Sequence, residues 1–209
     1  DLDTFTPPMD RAASWTKLGY GGKIGLATVG RLRPEKGTDL FVDAMLRVLP
    51  QHPDAVALVI GRAARVHKKF ELDLKDRVEA AGLSDRILFV GELPPEQLPI
   101  VMQGISLLVA MPRYEGYGMT PLEAMASGAP FIASDTGYYR AFGAQGAAGT
   151  VVGLYDYEAG ADEVVALLSG DGRLKRMSAA ALDHVRAHHS VDCEADGIRK
   201  VYEDLWAAG

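Results

Sequence analysis

The fold class predicted for this chain is α/β: a doubly wound parallel sheet with helices on both faces and a helical tail. Two observations carry that expectation. Short apolar or β-branched runs recur at residues 24–30, 55–61, 86–91, 105–111, 130–134 and 149–154, most of them ending at glycine or just before proline. These runs are continuously apolar rather than alternating, as in strands covered on both faces. Helical stretches separate them, and strand alternating with helix is the pattern of a parallel sheet wound between two helical layers.

The elements follow in order. Residues 1–22 read as a connecting segment, and 23–209 as one domain with no repeat and no low-complexity tract. In residues 38–49, Leu40, Phe41, Ala44, Met45, Val48 and Leu49 recur at three- and four-residue steps, and Pro50 stops the helix. Residues 66–81 carry Lys68, Lys69, Glu71, Asp73, Lys75, Asp76, Arg77 and Glu79, so only a narrow stripe is left to bury, and Gly82 is the expected C-terminal cap. Further helices are expected at 95–103, 121–127, 159–168, 173–188 and 192–207.

Composition narrows the function classes. At 209 residues and 22.4 kDa, with 48% hydrophobic and 24% charged residues, the chain needs no disulfide staples. No apolar run approaches the roughly 18 residues of a membrane span. The net charge of −6 provides no basic field to draw nucleic acid or anionic lipid, so a bound anion must be held by a local site. Cys193 is the single cysteine and no secretory signal opens the sequence, which together point to the cytoplasm.

In such folds ligands sit at the carboxyl ends of the strands, so three loops carry the functional reading. The first is Gly30-Arg31-Leu32-Arg33-Pro34-Glu35-Lys36-Gly37. Arg31 offers a fork for paired phosphate oxygens and Lys36 a mobile point charge; an ordinary solvated turn is the alternative. The second is Pro112-Arg113-Tyr114-Glu115-Gly116-Tyr117-Gly118-Met119-Thr120-Pro121-Leu122-Glu123. Gly116 and Gly118 let backbone N–H groups approach a ligand, and the helix that follows aims its free amides and positive dipole end at the same place.

Two carboxylates bracket those glycines. Glu115 and Glu123 each accept hydroxyl hydrogen bonds, which suits the vicinal diols of a ribose or hexose. Glu123 has a second reading, in which Thr120 is the N-cap, Pro121 the first helical residue and Glu123 the returning partner of a capping box. The third loop, Ser134-Asp135-Thr136-Gly137-Tyr138-Tyr139, either borders a pocket or turns the chain, and the turn is the stronger reading.

Several other signals carry little. Asp1-Leu2-Asp3 matches a metal-binding triplet but does not follow a strand, and the His184, His188 and His189 group lacks a neighbouring Glu or Cys to complete a zinc site. No metal is expected. Cys193 has no base beside it, and no Walker A loop, Gly-x-Ser-x-Gly or strand-linked Gly-x-Gly-x-x-Gly is present.

Taken together, Gly30-Arg31-Leu32 through Glu35-Lys36-Gly37, Glu115-Gly116-Tyr117-Gly118 through Pro121-Leu122-Glu123-Ala124-Met125-Ala126-Ser127-Gly128, and Ala133-Ser134-Asp135-Thr136-Gly137 resemble the C-terminal domain of group 1 (family 4) retaining glycosyltransferases of GT-B fold. The resemblance implies a donor-binding half whose N-terminal acceptor-binding domain is not in this chain. Arg31 and Lys36 would meet the diphosphate and Glu123 the ribose. Glu115 would lie by the transferred sugar, with the amides of Gly116, Tyr117, Gly118 and Met119 near its hydroxyls and the phosphate, the helix N-terminus at Thr120 stabilising the diphosphate, and the base against the turn from Val90 to Leu93. Tyr138-Tyr139-Arg140 departs from the commoner pattern and leaves one wall of the pocket unassigned.

More narrowly, Arg33-Pro34-Glu35-Lys36-Gly37-Thr38-Asp39-Leu40-Phe41 and Pro112-Arg113-Tyr114-Glu115-Gly116 are similar to lipopolysaccharide core mannosyltransferases of proteobacteria. That similarity implies a GDP-mannose donor, favoured over a UDP-sugar, and no other cofactor. It also implies a glycolipid acceptor, met on the cytoplasmic face of the inner membrane through the missing domain. A nucleotide-sugar epimerase of GT-B architecture and a non-catalytic nucleotide-sugar-binding module are the competing classes. Turnover of free donor without acceptor would mark the first, and binding without any turnover the second.

Overall fold

The six apolar runs form one sheet. In the computed structural model, which describes residues 1–207, the strands are β1 (Ile24–Val29), β2 (Ala55–Ile60), β3 (Ile87–Gly91), β4 (Leu107–Ala110), β5 (Phe131–Ser134) and β6 (Gly149–Val152). All are parallel, in the order β3-β2-β1-β4-β5-β6. The order runs outward from β1 on one side and then resumes at β4 on the other, so a crevice opens at the carboxyl ends of β1 and β4.

Because strand side chains alternate between faces, the same strands feed two cores. Leu26, Ala57, Val59, Leu107, Val109 and Ile132 point to one face, against α2 (Thr38–Val48), α3 (Lys68–Ala80) and α7 (Tyr157–Leu168). Ala27, Val56, Leu58, Leu108, Phe131 and Ala133 point to the other, against α1 (Arg11–Leu18), α4 (Gln97–Gly104) and α5 (Met119–Ala126). The first turn of the predicted helix 66–81 is a separate 3-10 turn, Arg65–His67. Gly82, at φ +68°, takes the left-handed conformation expected of its C-terminal stop.

The expectation of a connecting segment at 1–22 needs correction from Arg11 onward. Residues 11–18 are helix α1, opened by Asp10, whose carboxylate accepts the Ala13 N–H at 3.0 Å, and closed by Gly19 at φ +74°. Its Trp15 is 2% exposed, lies on Gly25 of β1 and donates its indole N–H to the Gly21 carbonyl at 2.9 Å. Arg11 donates to the carbonyls of Gln103 and Ser127, tying the carboxyl ends of α4 and α5 together. Burial lowers its pKa to about 10, and the negative ends of the two helix dipoles offset part of that cost. The sequence signal was short, one capped two-turn helix with a single tryptophan.

The C-terminal third is helical as expected, in α7, α8 (Arg173–His188) and α9 (Val191–Ala207). Helix α8 buries Met177, Ala181 and Val185, whereas α9 buries none of its residues. Ile198, Val201, Tyr202, Leu205 and Trp206 of α9 form an apolar stripe that nothing among the described residues covers. No helix among them is long and apolar enough to cross a membrane.

Candidate functional site

The loops after β1 and β4 meet over the crevice. The first leaves β1 through Gly30, makes a single 3-10 turn at Pro34–Lys36 and enters α2 through Gly37. Gly37 sits at φ +64°, and a Cβ there would lie 1.7 Å from the Met111 carbonyl oxygen, so only glycine lets the two loops touch. The contact is then locked. Arg113 donates its N–H to the Glu35 carbonyl at 2.9 Å, and its guanidinium forks onto both Asp39 oxygens at 2.8 and 2.6 Å. The Asp39 bonds raise the Arg113 pKa, against a smaller opposing effect of burial.

Across that junction Lys36 donates to Glu115 at 2.7 Å, the two side chains being 26% and 19% exposed. Sequence reasoning sent one to phosphate and the other to sugar; the structure brings them together as a pair. Glu115 also accepts its neighbour Gly116 N–H at 3.1 Å. Arg31 stands apart, exposed, on a cleft of about 590 Å³ lined also by Gly61, Arg62, Glu92, Leu93 and Leu98. Of the two residues expected to meet the base, Leu93 lines the same cleft as Arg31, whereas the half-buried Val90 packs against the core. Arg62 and Glu92, an exposed pair at 2.9 Å, were not singled out from the sequence, although Gly61-Arg62 also follows a strand.

The capping-box reading of Glu123 is overturned. Helix α5 begins two residues earlier, at Met119, with Gly118 as its N-cap at φ +88° and no side-chain cap. Thr120 and Pro121 are thus the second and third helical residues. With proline at the third, the amides of Met119 and Thr120 are the free donors of the first turn, facing away from the helix. Among the described residues the Glu123 carboxylate makes neither a hydrogen bond nor an ion pair. Burial raises its pKa above the usual carboxylate range. Tyr117 and Met119 line another cavity, beside His188, His189 and Cys193.

The third loop does more than turn the chain. Thr136 Oγ1 accepts the Glu115 N–H at 3.2 Å, Ser134 Oγ donates to the Pro112 carbonyl, and a Cβ on Gly137 would lie 2.8 Å from the Gly116 carbonyl oxygen. It is a buttress for the glycine loop. The discounted triplet is also accounted for: Asp1 accepts the N–H groups of Asp3 and Thr4 and the Thr4 hydroxyl. Among the described residues no three His, Cys, Asp or Glu side chains are grouped as a metal would require.

A family model described as glycosyl transferases group 1 matches residues 14–184. The chain belongs to the group 1 glycosyltransferases. It is 41% identical over 208 residues to the lipopolysaccharide core biosynthesis mannosyltransferase LpsB of Rhizobium meliloti, covering 98% of this chain and 59% of that protein. It is 42% identical over 205 residues to the mannosyltransferase LpcC of Rhizobium leguminosarum bv. viciae, with coverage of 98% and 58%. The chain therefore spans about three-fifths of the length of these relatives.

Among solved structures, the C-terminal domain of the group 1 family protein LpcC from Francisella tularensis superposes with a TM-score of 0.88 at 29% identity, covering 91% of this chain and 98% of that one. Anabaena HepE, solved in complex with UDP, matches with a TM-score of 0.87 at 20% identity over 98% of this chain and 55% of its own, a likeness of fold. This glycosyltransferase domain has the Rossmann-like architecture of one half of a GT-B fold. What sequence reasoning left unassigned in it is the wall formed by residues 138–140. The Tyr138 and Tyr117 rings meet at a tilt of 50° with centroids 5.3 Å apart, Arg140 pairs with Asp135 on the surface, and Tyr139 opens the short helix α6 (Tyr139–Phe142), pointing inward.

Proposed function

We propose that this chain is the donor-binding half of a retaining glycosyltransferase that moves a hexosyl group, mannosyl by preference, from a nucleoside-diphosphate sugar to a cell-envelope glycan. The acceptor would be a lipopolysaccharide core intermediate, bound through a second domain of the whole protein at the cytoplasmic face of the membrane. The observation that carries the reading is the Lys36–Glu115 pair, which spans the switch-point crevice beside the free amides of α5.

The chemistry follows from charge. Breaking the anomeric C–O bond leaves a nucleoside diphosphate with growing negative charge. Arg31 supplies a bidentate fork, Lys36 a point charge on a flexible stem, and the first turn of α5 two amides with the positive dipole end. Fixed donors aimed at developing charge lower the barrier without reorganising. Lys36 is held by Glu115 until a diphosphate competes for it, and Glu115 is then free to accept hydroxyls of the sugar. Glu123, already partly desolvated and without a protein partner, suits a ribose diol. The sugar passes through an oxocarbenium-like state, in which Glu115 serves as a positioning carboxylate rather than a nucleophile. GDP-mannose is the donor we favour, and no step in this scheme calls on a metal.

Calorimetry with GDP and UDP tests the proposal. Arg31→Ala and Lys36→Ala should each weaken nucleoside-diphosphate binding by roughly ten- to hundredfold, the worth of a hydrogen bond to a charged group. Affinity unchanged by both substitutions would refute the diphosphate assignment, and affinity abolished by a chelator would refute metal-free binding.

A further inference from the structure

The crevice holds one buried ionisable group that this scheme does not use. Tyr139 is 2% exposed, its ring set among Phe131 at 6.1 Å and Phe142 at 6.2 Å. Ring packing alone would be served by phenylalanine; a buried phenol also needs a partner for its hydroxyl. The far end of the ring reaches the glycine loop. A Cβ on Gly118 would lie 2.3 Å from Tyr139 Cε1 and 2.9 Å from its hydroxyl oxygen, so the ring fills the space a side chain at 118 would take.

Glu115 lies three residues ahead of Gly118 on the same loop, and its carboxylate is the charge that acts on that hydroxyl. Its own bonds run to Lys36 through one oxygen and to the Gly116 N–H through the other, which leaves lone pairs for a third donor. Burial first, and the Glu115 charge second, push the Tyr139 phenol above its ordinary value, so it keeps its proton and remains a donor at working pH.

We propose that Tyr139 is a positioning residue: its ring seats the Gly118 turn at the start of α5, and its hydroxyl holds the Glu115 carboxylate toward the transferred sugar when Lys36 moves to the diphosphate. The proposal rests on the donor-binding reading above and adds to it the sugar end of the site. Lys36 cannot serve both partners at once, and Tyr139 is the donor that does not have to leave.

The test is calorimetry on this chain with GDP and GDP-mannose, and in parallel UDP and UDP-glucose, using wild type, Tyr139→Phe, Glu115→Ala and the double variant. Tyr139→Phe keeps the packed ring, and a melting curve checks that the fold is intact. Its GDP affinity should stay within about twofold while its GDP-mannose affinity falls about tenfold, the effect of losing one hydrogen bond to a carboxylate. In the Glu115→Ala background the same change should cost nothing further. Equal loss of both ligands, loss of neither, or a loss that adds in full to Glu115→Ala would overturn the proposal. Wild-type protein that binds no nucleotide would refute the donor reading itself, before any variant is compared.

Discussion

At Glu123 two roles compete for one side chain, and the structure removes one of them. With Gly118 as the N-cap of α5 there is no capping box for the carboxylate to complete, and it stands half-buried without a partner. Its pKa is raised by burial, so the fold favours the neutral acid. That contribution to stability is present below the ordinary glutamate value and is lost as pH rises through the raised one. Glu123→Gln should therefore melt at the same temperature as wild type or higher at neutral pH, with the difference closing in acid, while nucleotide affinity falls. A melting temperature lowered at neutral pH, with affinity unchanged, would restore the structural role. The residues nominated from the sequence were those with charge or glycine at a strand end: Arg31, Lys36, Glu115, Gly116 and Gly118. Their residue types and strand-end positions suggested phosphate and diol chemistry, but not the pairing of Lys36 with Glu115, because residues 79 positions apart meet only through the fold. Tyr139 was out of reach for a similar reason. Nothing in Tyr138-Tyr139-Arg140 distinguishes the ring that points inward from the one that is 58% exposed.

Among the elements, the sheet was the most legible. Each of the strands lies within its apolar run, since a strand buried on both faces has no polar position to confuse the pattern. Helix starts were less legible. Helix α5 begins earlier than its proline suggests, and α7 begins at Tyr157, where Asp156 caps it by accepting the Ala159 N–H. Helix α1 was missed because one buried tryptophan among polar neighbours gives no period to read. Its place in the core makes a direct prediction: Trp15→Ala should cost about 3–5 kcal/mol of stability, as for other buried tryptophans. Chemical denaturation would measure it, and a loss under about 1 kcal/mol would mean that α1 is a dispensable strap rather than part of the domain. The loops form one unit for a different reason. Gly37, Arg113, Thr136 and Gly137 fasten three strand-end loops to one another, so the site is held by the sheet and not by any single loop.

For the whole molecule, the match to relatives of whose length the chain spans about three-fifths gives the domain its context. Both ends of the donor reading, diphosphate and sugar, lie on this chain; in the proposed scheme the acceptor does not. The isolated chain should therefore bind nucleotide and transfer nothing, and transfer of sugar to any acceptor by these 209 residues alone would contradict the division of labour. The net charge of −6 agrees in one respect: phosphate must be captured by the local charges of the crevice, because the molecule as a whole repels it. The central claim is that a nucleoside diphosphate seats at the β1–β4 switch point. Amide chemical shifts of the isotope-labelled chain, followed while GDP is titrated in and again with UDP, test it most directly. The account predicts saturable shifts concentrated at Arg31, Lys36, Leu93, Gly116 to Thr120 and Glu123. Shifts absent with both nucleotides, or centred instead on the cavity beside His188 and Cys193, would contradict it.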